Sequence, residues 1–334
     1  MQIRRQRPRT AANGFEKQDE ASEAFKDIII KYNIINDMTR HKLSGAGAAI
    51  PTPFTPDGRV DYPALARTID YIIDGGVDFI VALGTTAETP TLYLHERAVV
   101  AMFIKNHIAG RVPLVIGVGG NSTSEVLDQL REFDLRGADA ILSVTPYYNK
   151  PSQEGLYQHF KTVSEHSPLP IILYNVPGRT VADLKNDTVL RLLELPNVIG
   201  LKDATGDFGR ASELLSRLPK DREFAIYSGN DDSALALMLM GGAGVISVTA
   251  NVAPELMSRM CAMALANDVM GAREINDRLM PLHKELFCEP NPIVPKWALH
   301  RMGLIPPGIR LPLTPLSPSK HEQVERALMV GGCI

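Results

Sequence analysis

The 334-residue chain has few cysteines, little excess charge of either sign and no long apolar run. Its three cysteines, Cys261, Cys288 and Cys333, show no Cys-x-x-Cys spacing, which argues against a zinc site or a disulfide framework and fits a reducing cytoplasm. The net charge of −3 argues against a nucleic-acid-binding surface, and no apolar run is long enough to span a bilayer. We therefore expect a cytoplasmic protein that binds neither nucleic acid nor membrane.

The first forty residues differ from the rest of the chain. Four arginines fall within the first ten residues without an acid, as in a transit peptide, but acids follow from Glu16 and no signal-type apolar region is present. We therefore interpret residues 1–40 as an extension that is disordered or loosely helical. Met38 is an alternative start for the natural chain.

From residue 45 onwards, short apolar runs alternate with segments of helical spacing. Eight such runs precede helical segments, and they begin near residues 45, 79, 112, 140, 169, 198, 223 and 244. Continuous apolar runs are typical of strands that are covered on both faces, hence of a parallel sheet. Eight βα units predict an α/β fold, a closed (β/α)8 TIM barrel, over residues 41–268.

An open, doubly wound sheet is the alternative fold, but no Gly-x-Gly-x-x-Gly fingerprint follows an early strand. Residues 269–334 exceed the length of the barrel. Their spacing predicts a C-terminal helical region, with helices near 270–287, 291–303 and 319–330 joined by proline-rich links.

Lys202 ends the sixth apolar run, just before a short loop that opens onto a helix. Catalytic side chains of a (β/α)8 barrel lie at the carboxyl ends of its strands, so Lys202 is expected in a pocket with apolar walls. Burial disfavours the ammonium form of a lysine and frees the amine for Schiff-base chemistry. Two simpler interpretations remain open: the side chain snorkels out to solvent, or it pairs with Asp203.

Other polar side chains follow the carboxyl ends of neighbouring strands. They include Thr52, Thr85, Thr86, Glu88, Thr145, Tyr147, Tyr148, Tyr174, Asn175, Arg179, Ser228 and Asn230. A Schiff-base enzyme acting on a 2-oxo acid needs a lysine, a proton-transfer group, neutral donors for the substrate carboxylate and a cation for an acidic second substrate. These strand ends supply all four. Each residue also has a simpler role, such as helix capping by threonine or a surface pairing of Arg179 with Asp183 or Glu194.

Six motifs carry a resemblance to a known family. They are LGTTAETPTL (83–92), VTPYYNKPSQEGLYQHF (144–160), LYNVPGRT (173–180), IGLKDATG (199–206), GVISVTAN (244–251) and EPNPIVPKWA (289–298). Together they are similar to the 4-hydroxy-tetrahydrodipicolinate synthase (dihydrodipicolinate synthase) family, which belongs with N-acetylneuraminate lyase to the class I pyruvate aldolases. The resemblance runs from Gly45 to Leu328 in order, and residues 1–40 fall outside it.

The resemblance implies condensation of pyruvate with L-aspartate 4-semialdehyde on the diaminopimelate route to lysine, without a metal or another cofactor. By this resemblance Lys202 is the Schiff-base lysine and Tyr174 relays protons to the imine. Thr85 links Tyr174 to Tyr148, which in the family reaches into the active site of a neighbouring subunit. The family also implies a homotetramer built as a dimer of dimers.

Four further residues match the family's substrate-binding positions. Thr86 matches the residue whose amide holds the pyruvate carboxylate, and Gly229 and Ile246 line the same pocket. Arg179 matches the arginine that binds the carboxylate of the semialdehyde. A guanidinium suits a small amino-acid carboxylate better than a long polyol, so Arg179 favours a synthase over the family's lyases.

Alternatives remain within and outside the family. A sister aldolase, such as N-acetylneuraminate lyase or a 2-keto-3-deoxy sugar acid aldolase, is the first, and a catalytically silent scaffold protein is the second. A metal-dependent aldolase is disfavoured, because no strand end carries a His/Asp/Glu cluster with ligand spacing.

The sequence departs from the family's pattern at two places. The family's second glycine in GTTGE is Ala87 here, where a positive φ would cost about 1 kcal/mol. Lysine-inhibited members carry a histidine pair at a dimer-interface site, and those positions are Leu94 and Arg97 in this chain. Asn121, Glu125 and Tyr147 still match that site. A cation at Arg97 is unfavourable for a bound ammonium group, so we predict weak or absent inhibition by lysine.

Overall fold

Eight parallel strands close into a barrel in chain order, and β8 pairs with β1 to complete it. The computed structural model describes residues 43–334, so the prediction for the N-terminal extension lies outside the described residues. The strands are β1 Gly45–Ala49, β2 Phe79–Ala82, β3 Leu114–Gly117, β4 Ala140–Val144, β5 Ile171–Asn175, β6 Val198–Asp203, β7 Ala225–Ser228 and β8 Gly244–Ser247. The predicted (β/α)8 barrel is confirmed.

The interior of the barrel is a packed core, because side chains on one face of every strand point inward. The rings of Phe79 and Tyr227 meet edge to face there, with their centroids 6.0 Å apart. Gly47 makes room for this packing, since a Cβ at this position would lie 2.2 Å from the Phe79 ring. The opposite faces of the strands pack against the surrounding helices and form the larger apolar core.

Helices follow the strands as the spacing predicts. They are α1 Tyr62–Asp74, α2 Leu94–Ile108, α3 Thr123–Glu132, α4 Gln153–His166, α5 Pro177–Thr180, α6 Asn186–Leu193, α7 Phe208–Arg217, α8 Ala234–Leu239, α9 Pro254–Leu265, α10 Val269–Glu285, α11 Ile293–Arg301 and α12 Pro318–Gly331. Helix α1 shows the local logic: the Asp61 side chain caps it by accepting from the Ala64 amide at 2.9 Å, and Leu65, Ile69 and Ile72 face the core.

The C-terminal helices α10–α12 pack on the outside of the barrel, but the segments around α11 return to its mouth. Phe54, just after β1, forms an isolated bridge with Gly308, and Asn291, Pro312 and Leu313 line a cavity at the strand ends. This part of the chain therefore contributes directly to the mouth of the barrel. Among the helices of residues 43–334, none combines the length and apolarity that crossing a bilayer requires.

Candidate active site

Lys202 is the penultimate residue of β6 and therefore lies at the carboxyl end of that strand. It stands in register with Tyr174 on β5 and Tyr227 on β7, so the three side chains face the same way. Only 6% of Lys202 is exposed, and its Nζ lies 4.5 Å from the centroid of the Tyr174 ring. The ammonium or amine is thus held against an aromatic face rather than in solvent.

The two simpler interpretations of Lys202 are wrong. The side chain is buried and does not snorkel, and within residues 43–334 no carboxylate lies within ion-pair distance of its Nζ. Asp203 is turned elsewhere: its Oδ1 accepts from the Thr205 amide at 2.8 Å. Schiff-base chemistry needs a free amine, and among residues 43–334 no carboxylate holds the Lys202 Nζ in an ion pair.

Two adjoining cavities open at this end of the barrel. The smaller, of about 60 Å³, is lined by Lys202, Tyr174, Thr85, Thr86, Arg179 and Gly229 among others. The larger, of about 360 Å³, shares Gly84, Thr85, Tyr174, Arg179 and Asn291 with it and extends towards Tyr147 and Arg97. A small-molecule substrate can therefore reach Lys202 from the larger cavity.

Thr85 and Thr86 lie on a tight turn after β2, a single 3-10 turn over Thr85–Ala87. The left-handed residues of this stretch are Leu83 and Glu88, both with φ of 54°, and not Ala87, so the strain expected at Ala87 is absent. Within the described residues the amides of Thr85 and Thr86 donate to no backbone carbonyl. The side-chain amide of Asn291 donates to the Thr86 hydroxyl at 3.0 Å.

Arg179 lies on the short helix α5, just after β5. It is exposed at the barrel mouth and lines both cavities. The expected surface pairing with Asp183 is wrong, because Asp183 instead pairs with Arg210 at 2.6 Å. Among residues 43–334 no carboxylate lies within ion-pair distance of Arg179, which leaves a free cation facing the site.

Gly229 and Ile246 are placed differently by the structure. Gly229 lines the smaller cavity, and a Cβ there would lie 2.6 Å from the Cβ of Ala204, so a side chain would disturb the site. Ile246 is fully buried in the barrel core, and the neighbouring cavity wall is supplied by Val248 instead.

The proton relay that the resemblance implies is not continuous within one chain. Tyr174 and Thr85 line the same cavity, but no hydrogen bond joins their hydroxyls among the described contacts. Tyr148 lies on the loop after β4 with a φ of 72°, and 87% of it is exposed. Tyr148 lines neither of the two cavities, whereas Tyr147 lines the larger one.

Sequence reasoning missed a second buried lysine near the site. Lys296, on α11, forms an ion pair with Glu88 and also donates to the Thr52 carbonyl at 3.0 Å. Burial lowers the pKa of Lys296 to about 8, although the charge of Glu88 opposes the shift. The motif EPNPIVPKWA did offer a signal, since a lone lysine stands there in an apolar stretch.

Arg97 lies at the edge of the larger cavity, on α2. Its Nε donates to the Leu92 carbonyl at 2.9 Å. Burial lowers the pKa of Arg97, while the charges of Tyr147 and Glu125 act in the opposite direction. The guanidinium therefore already lies beside two of the residues that match the family's lysine-binding site.

The fold and the site define the class of the protein: a (β/α)8 barrel whose mouth holds a buried lysine without a carboxylate partner among residues 43–334, the arrangement typical of Schiff-base enzymes. Within residues 43–334 no group of three His, Cys, Asp or Glu side chains is arranged to hold a metal ion.

The chain belongs to the dihydrodipicolinate synthetase family, whose sequence model matches residues 42–330. The 4-hydroxy-tetrahydrodipicolinate synthase of Laribacter hongkongensis is 55% identical over 292 residues, which cover 87% of this chain and 100% of that protein. Its namesake from Pseudomonas aeruginosa is 52% identical, with 87% and 99% covered.

A solved structure agrees with this assignment. The chloride-inhibited dihydrodipicolinate synthase of Acinetobacter baumannii, complexed with pyruvate, matches with a TM-score of 0.85 at 50% identity, covering 87% of this chain and 100% of that one. The predicted family, fold class and type of enzyme are confirmed, and the sister aldolases are not favoured.

Proposed function

We propose that this protein condenses pyruvate with L-aspartate 4-semialdehyde through a Schiff base on Lys202, giving 4-hydroxy-tetrahydrodipicolinate for lysine biosynthesis. The observation that carries the proposal is the buried Lys202 Nζ, 4.5 Å from the Tyr174 ring and without a carboxylate partner among the described residues. The relatives that match nearly the whole described chain bear the name of this enzyme.

The chemistry balances with one water released. The Lys202 amine attacks C2 of pyruvate, and loss of water gives the imine. Removal of a C3 proton gives the enamine, whose C3 attacks the aldehyde carbon of the semialdehyde and forms the new C–C bond. The α-amino group of the adduct then attacks C2, closes the ring and releases Lys202, so the lysine is regenerated.

Two anionic groups need recognition in this scheme. The Thr85–Thr86 turn lies on the wall of the Lys202 cavity, and its amides, which donate to no backbone carbonyl within residues 43–334, suit the pyruvate carboxylate. Gly229 lines the same cavity, where a side chain would collide with Ala204, and Ile246 is buried in the barrel core. Arg179, free of carboxylate partners within residues 43–334, suits the carboxylate of the semialdehyde.

Proton transfer is assigned to Tyr174, with Thr85 and the Tyr148 of a second copy extending the relay. The exposure of Tyr148, at 87%, supports a role across an interface, because its own chain offers it no site. We accordingly propose the homotetramer, a dimer of dimers, as the working form. We also propose a cytoplasmic location, which the free thiols of the three cysteines support.

The test is a coupled assay with pyruvate and L-aspartate 4-semialdehyde, in which an added dihydrodipicolinate reductase reports product by NADPH loss. Lys202→Ala is expected to reduce turnover by at least about 10³-fold, since the nucleophile itself is removed. Lys284→Ala, which removes a lysine from the last turn of α10, serves as the matched control and is expected to behave as wild type.

Borohydride treatment with pyruvate separates the remaining outcomes. Turnover together with an adduct on Lys202 supports the proposal. An adduct without turnover would move the second substrate to that of a sister aldolase. No turnover and no adduct would contradict the Schiff-base assignment itself.

A further inference from the structure

A buried ion pair ties the C-terminal region to the turn that faces Lys202. Lys296 on α11 and Glu88, just after the Thr85–Ala87 turn, are 4% and 2% exposed, and their charged groups are in contact. The two residues are far apart in sequence, so this contact joins separate parts of the molecule. Neither side chain lines the smaller cavity that contains Lys202.

The Glu88 carboxylate is held at both oxygens. One contacts the Lys296 ammonium, and the other accepts from the Arg310 amide at 3.0 Å. Glu88 itself adopts a left-handed conformation, with φ of 54° and ψ of 33°, between two consecutive 3-10 turns. A strained backbone of this kind persists only when surrounding contacts determine it, and the fixed carboxylate supplies such contacts.

The Lys296 ammonium is equally constrained. Besides Glu88 it donates to the Thr52 carbonyl at 3.0 Å and lies 4.2 Å from the centroid of the Phe54 ring. Lys296 therefore joins α11, the loop after β1 and the turn after β2 at one point. Its ammonium is paired with a carboxylate, whereas within residues 43–334 Lys202 has no carboxylate partner.

A second contact from the same region reaches the same turn. The Asn291 side-chain amide donates to the Thr86 hydroxyl at 3.0 Å, and Asn291 is buried and lines both cavities. The turn is thus held near its start by Asn291 and at its end by Lys296. Both contacts come from residues 291–296, outside the barrel strands.

We propose that Lys296 and Asn291 are positioning residues, which together hold the Thr85–Thr86 turn at the distance from Lys202 that binding of the pyruvate carboxylate requires. Replacing a buried ion pair by apolar groups is often neutral for stability, so stability alone is a weak reason for this pair. Hydrogen-bond donors must be placed accurately relative to a reacting group, and a small displacement of these donors is enough to weaken the positioning of the substrate. This inference rests on the proposed function, in which pyruvate is the first substrate.

The experiment compares Lys296→Met, Asn291→Ala and the double variant Glu88→Gln with Lys296→Met, which leaves no buried charge unpaired. Arg301→Met, on the same helix but paired with Glu325, is the ion-pair control. Leu279→Ala, in the core of α10, is the control for lost stability. Each protein is assayed for both KM values and kcat, and for borohydride trapping of pyruvate against pyruvate concentration.

We expect the pyruvate KM and the half-saturation of trapping to rise about tenfold or more in the three test variants. The semialdehyde KM should stay within a factor of about two, and the double variant should be no worse than Lys296→Met, because both act through one pair. Wild-type values of pyruvate KM and trapping in the folded double variant and Asn291→Ala would overturn the proposal. So would equal rises in both controls.

The same assays separate this inference from the proposed function. Trapping needs no aldehyde, so it tests the positioning role even if the wild type fails to turn over the semialdehyde. A wild type that turns over both substrates while the variants match it contradicts only the positioning role. A wild type that forms no pyruvate adduct at all contradicts both.

Discussion

Two lysines are buried at the same end of this barrel, and their surroundings differ in one respect. Lys296 meets a carboxylate, a carbonyl and an aromatic ring, whereas Lys202 meets an aromatic ring and a cavity. The first environment gives an ammonium group an ion pair and a hydrogen bond. The second leaves the Nζ of Lys202 without a carboxylate among the described residues, so the group remains available for reaction.

Burial alone does not identify a nucleophile, because both lysines are buried. A buried charge is ordinarily paired and hydrogen-bonded, and Lys296 follows that rule. Lys202 departs from it at the point where substrate has access. Variants near Lys202 should therefore change chemistry with little change in stability, and variants of buried groups away from the barrel mouth should do the reverse.

Among variants that keep Lys202, the largest effect on kcat is expected from Tyr174→Phe. Loss of the hydroxyl removes the proposed proton relay, so kcat should fall by at least about 10²-fold while the ring contact with Lys202 stays. Tyr227→Phe is the matched control, because Tyr227 is also in register with Lys202 but lies outside the cavity lining. Steady-state kinetics and thermal unfolding of both variants provide the measurement. Equal losses of kcat would contradict the role given to Tyr174.

Arg179→Ala should give the next largest effect. Loss of a charge-assisted, bidentate contact corresponds to a rise of roughly 10- to 100-fold in the semialdehyde KM. The pyruvate KM should change far less, since the Lys202 cavity is intact. The variant Arg179→Lys keeps the charge but lacks the planar guanidinium, so its semialdehyde KM should lie between that of wild type and that of Arg179→Ala. Equal rises in both KM values would remove Arg179 from semialdehyde binding.

Much of this could be predicted from the sequence, because the eight strands are continuous apolar runs and the polar residues follow them directly. The structure brings six predicted residues together at one end of the barrel, as their positions at strand ends predict: Lys202, Tyr174, Thr85, Thr86, Arg179 and Gly229. The roles of these residues stay predictions, as do the domain boundaries. Contacts between segments far apart in sequence, such as Glu88 with Lys296, leave no periodic pattern and were missed.

The exposed orientation of Tyr148 is a further feature that no single-chain pattern explains. A strand-end position predicts that a side chain lies near the mouth, but Tyr148 has a positive φ and lines neither cavity. The same limit applies to Ile246, whose position on β8 places it in the packed interior below the cavity. The local sequence pattern thus predicts at which end of the barrel a residue lies. Whether its side chain lines the site depends on the conformation of the loops.

His159 is a buried histidine away from the barrel mouth, and it tests the expectation that such groups affect stability rather than chemistry. Burial lowers the pKa of His159 to about 4, and its Nδ1 lies 2.9 Å from the Thr123 hydroxyl. The unfolded chain takes up a proton near pH 6.5, so the free energy of unfolding falls as the pH drops from 6.5 towards 4. By pH 4.5 this linkage amounts to about 2–3 kcal/mol.

Urea unfolding at pH 7 and pH 4.5 measures that loss in wild type and in His159→Gln. The variant lacks the titrating ring, so its loss between the two pH values should be smaller by about 2–3 kcal/mol. Carboxylates and His283 titrate in both proteins and cancel in the difference. Activity at pH 7 should be nearly unchanged, because His159 lies on α4 away from both cavities. A pH dependence identical in the two proteins would show that His159 is not the group that titrates.

The smallest effect is expected when L-lysine is added to the wild type. Arg97 already places a guanidinium near Glu125 and Tyr147, so a lysine ammonium would meet a like charge and a carboxylate that is partly compensated. Within residues 43–334 Arg97 forms no ion pair, but its Nε donates to the Leu92 carbonyl and the charge of Glu125 acts on it. Half-maximal inhibition at submillimolar lysine, measured in the coupled assay, would contradict the expected weak inhibition. The double variant Leu94→His with Arg97→His restores the family's histidine pair. Lysine should inhibit this variant at lower concentrations than it inhibits the wild type. That result would show that these two positions, rather than a missing pocket, set the response to lysine.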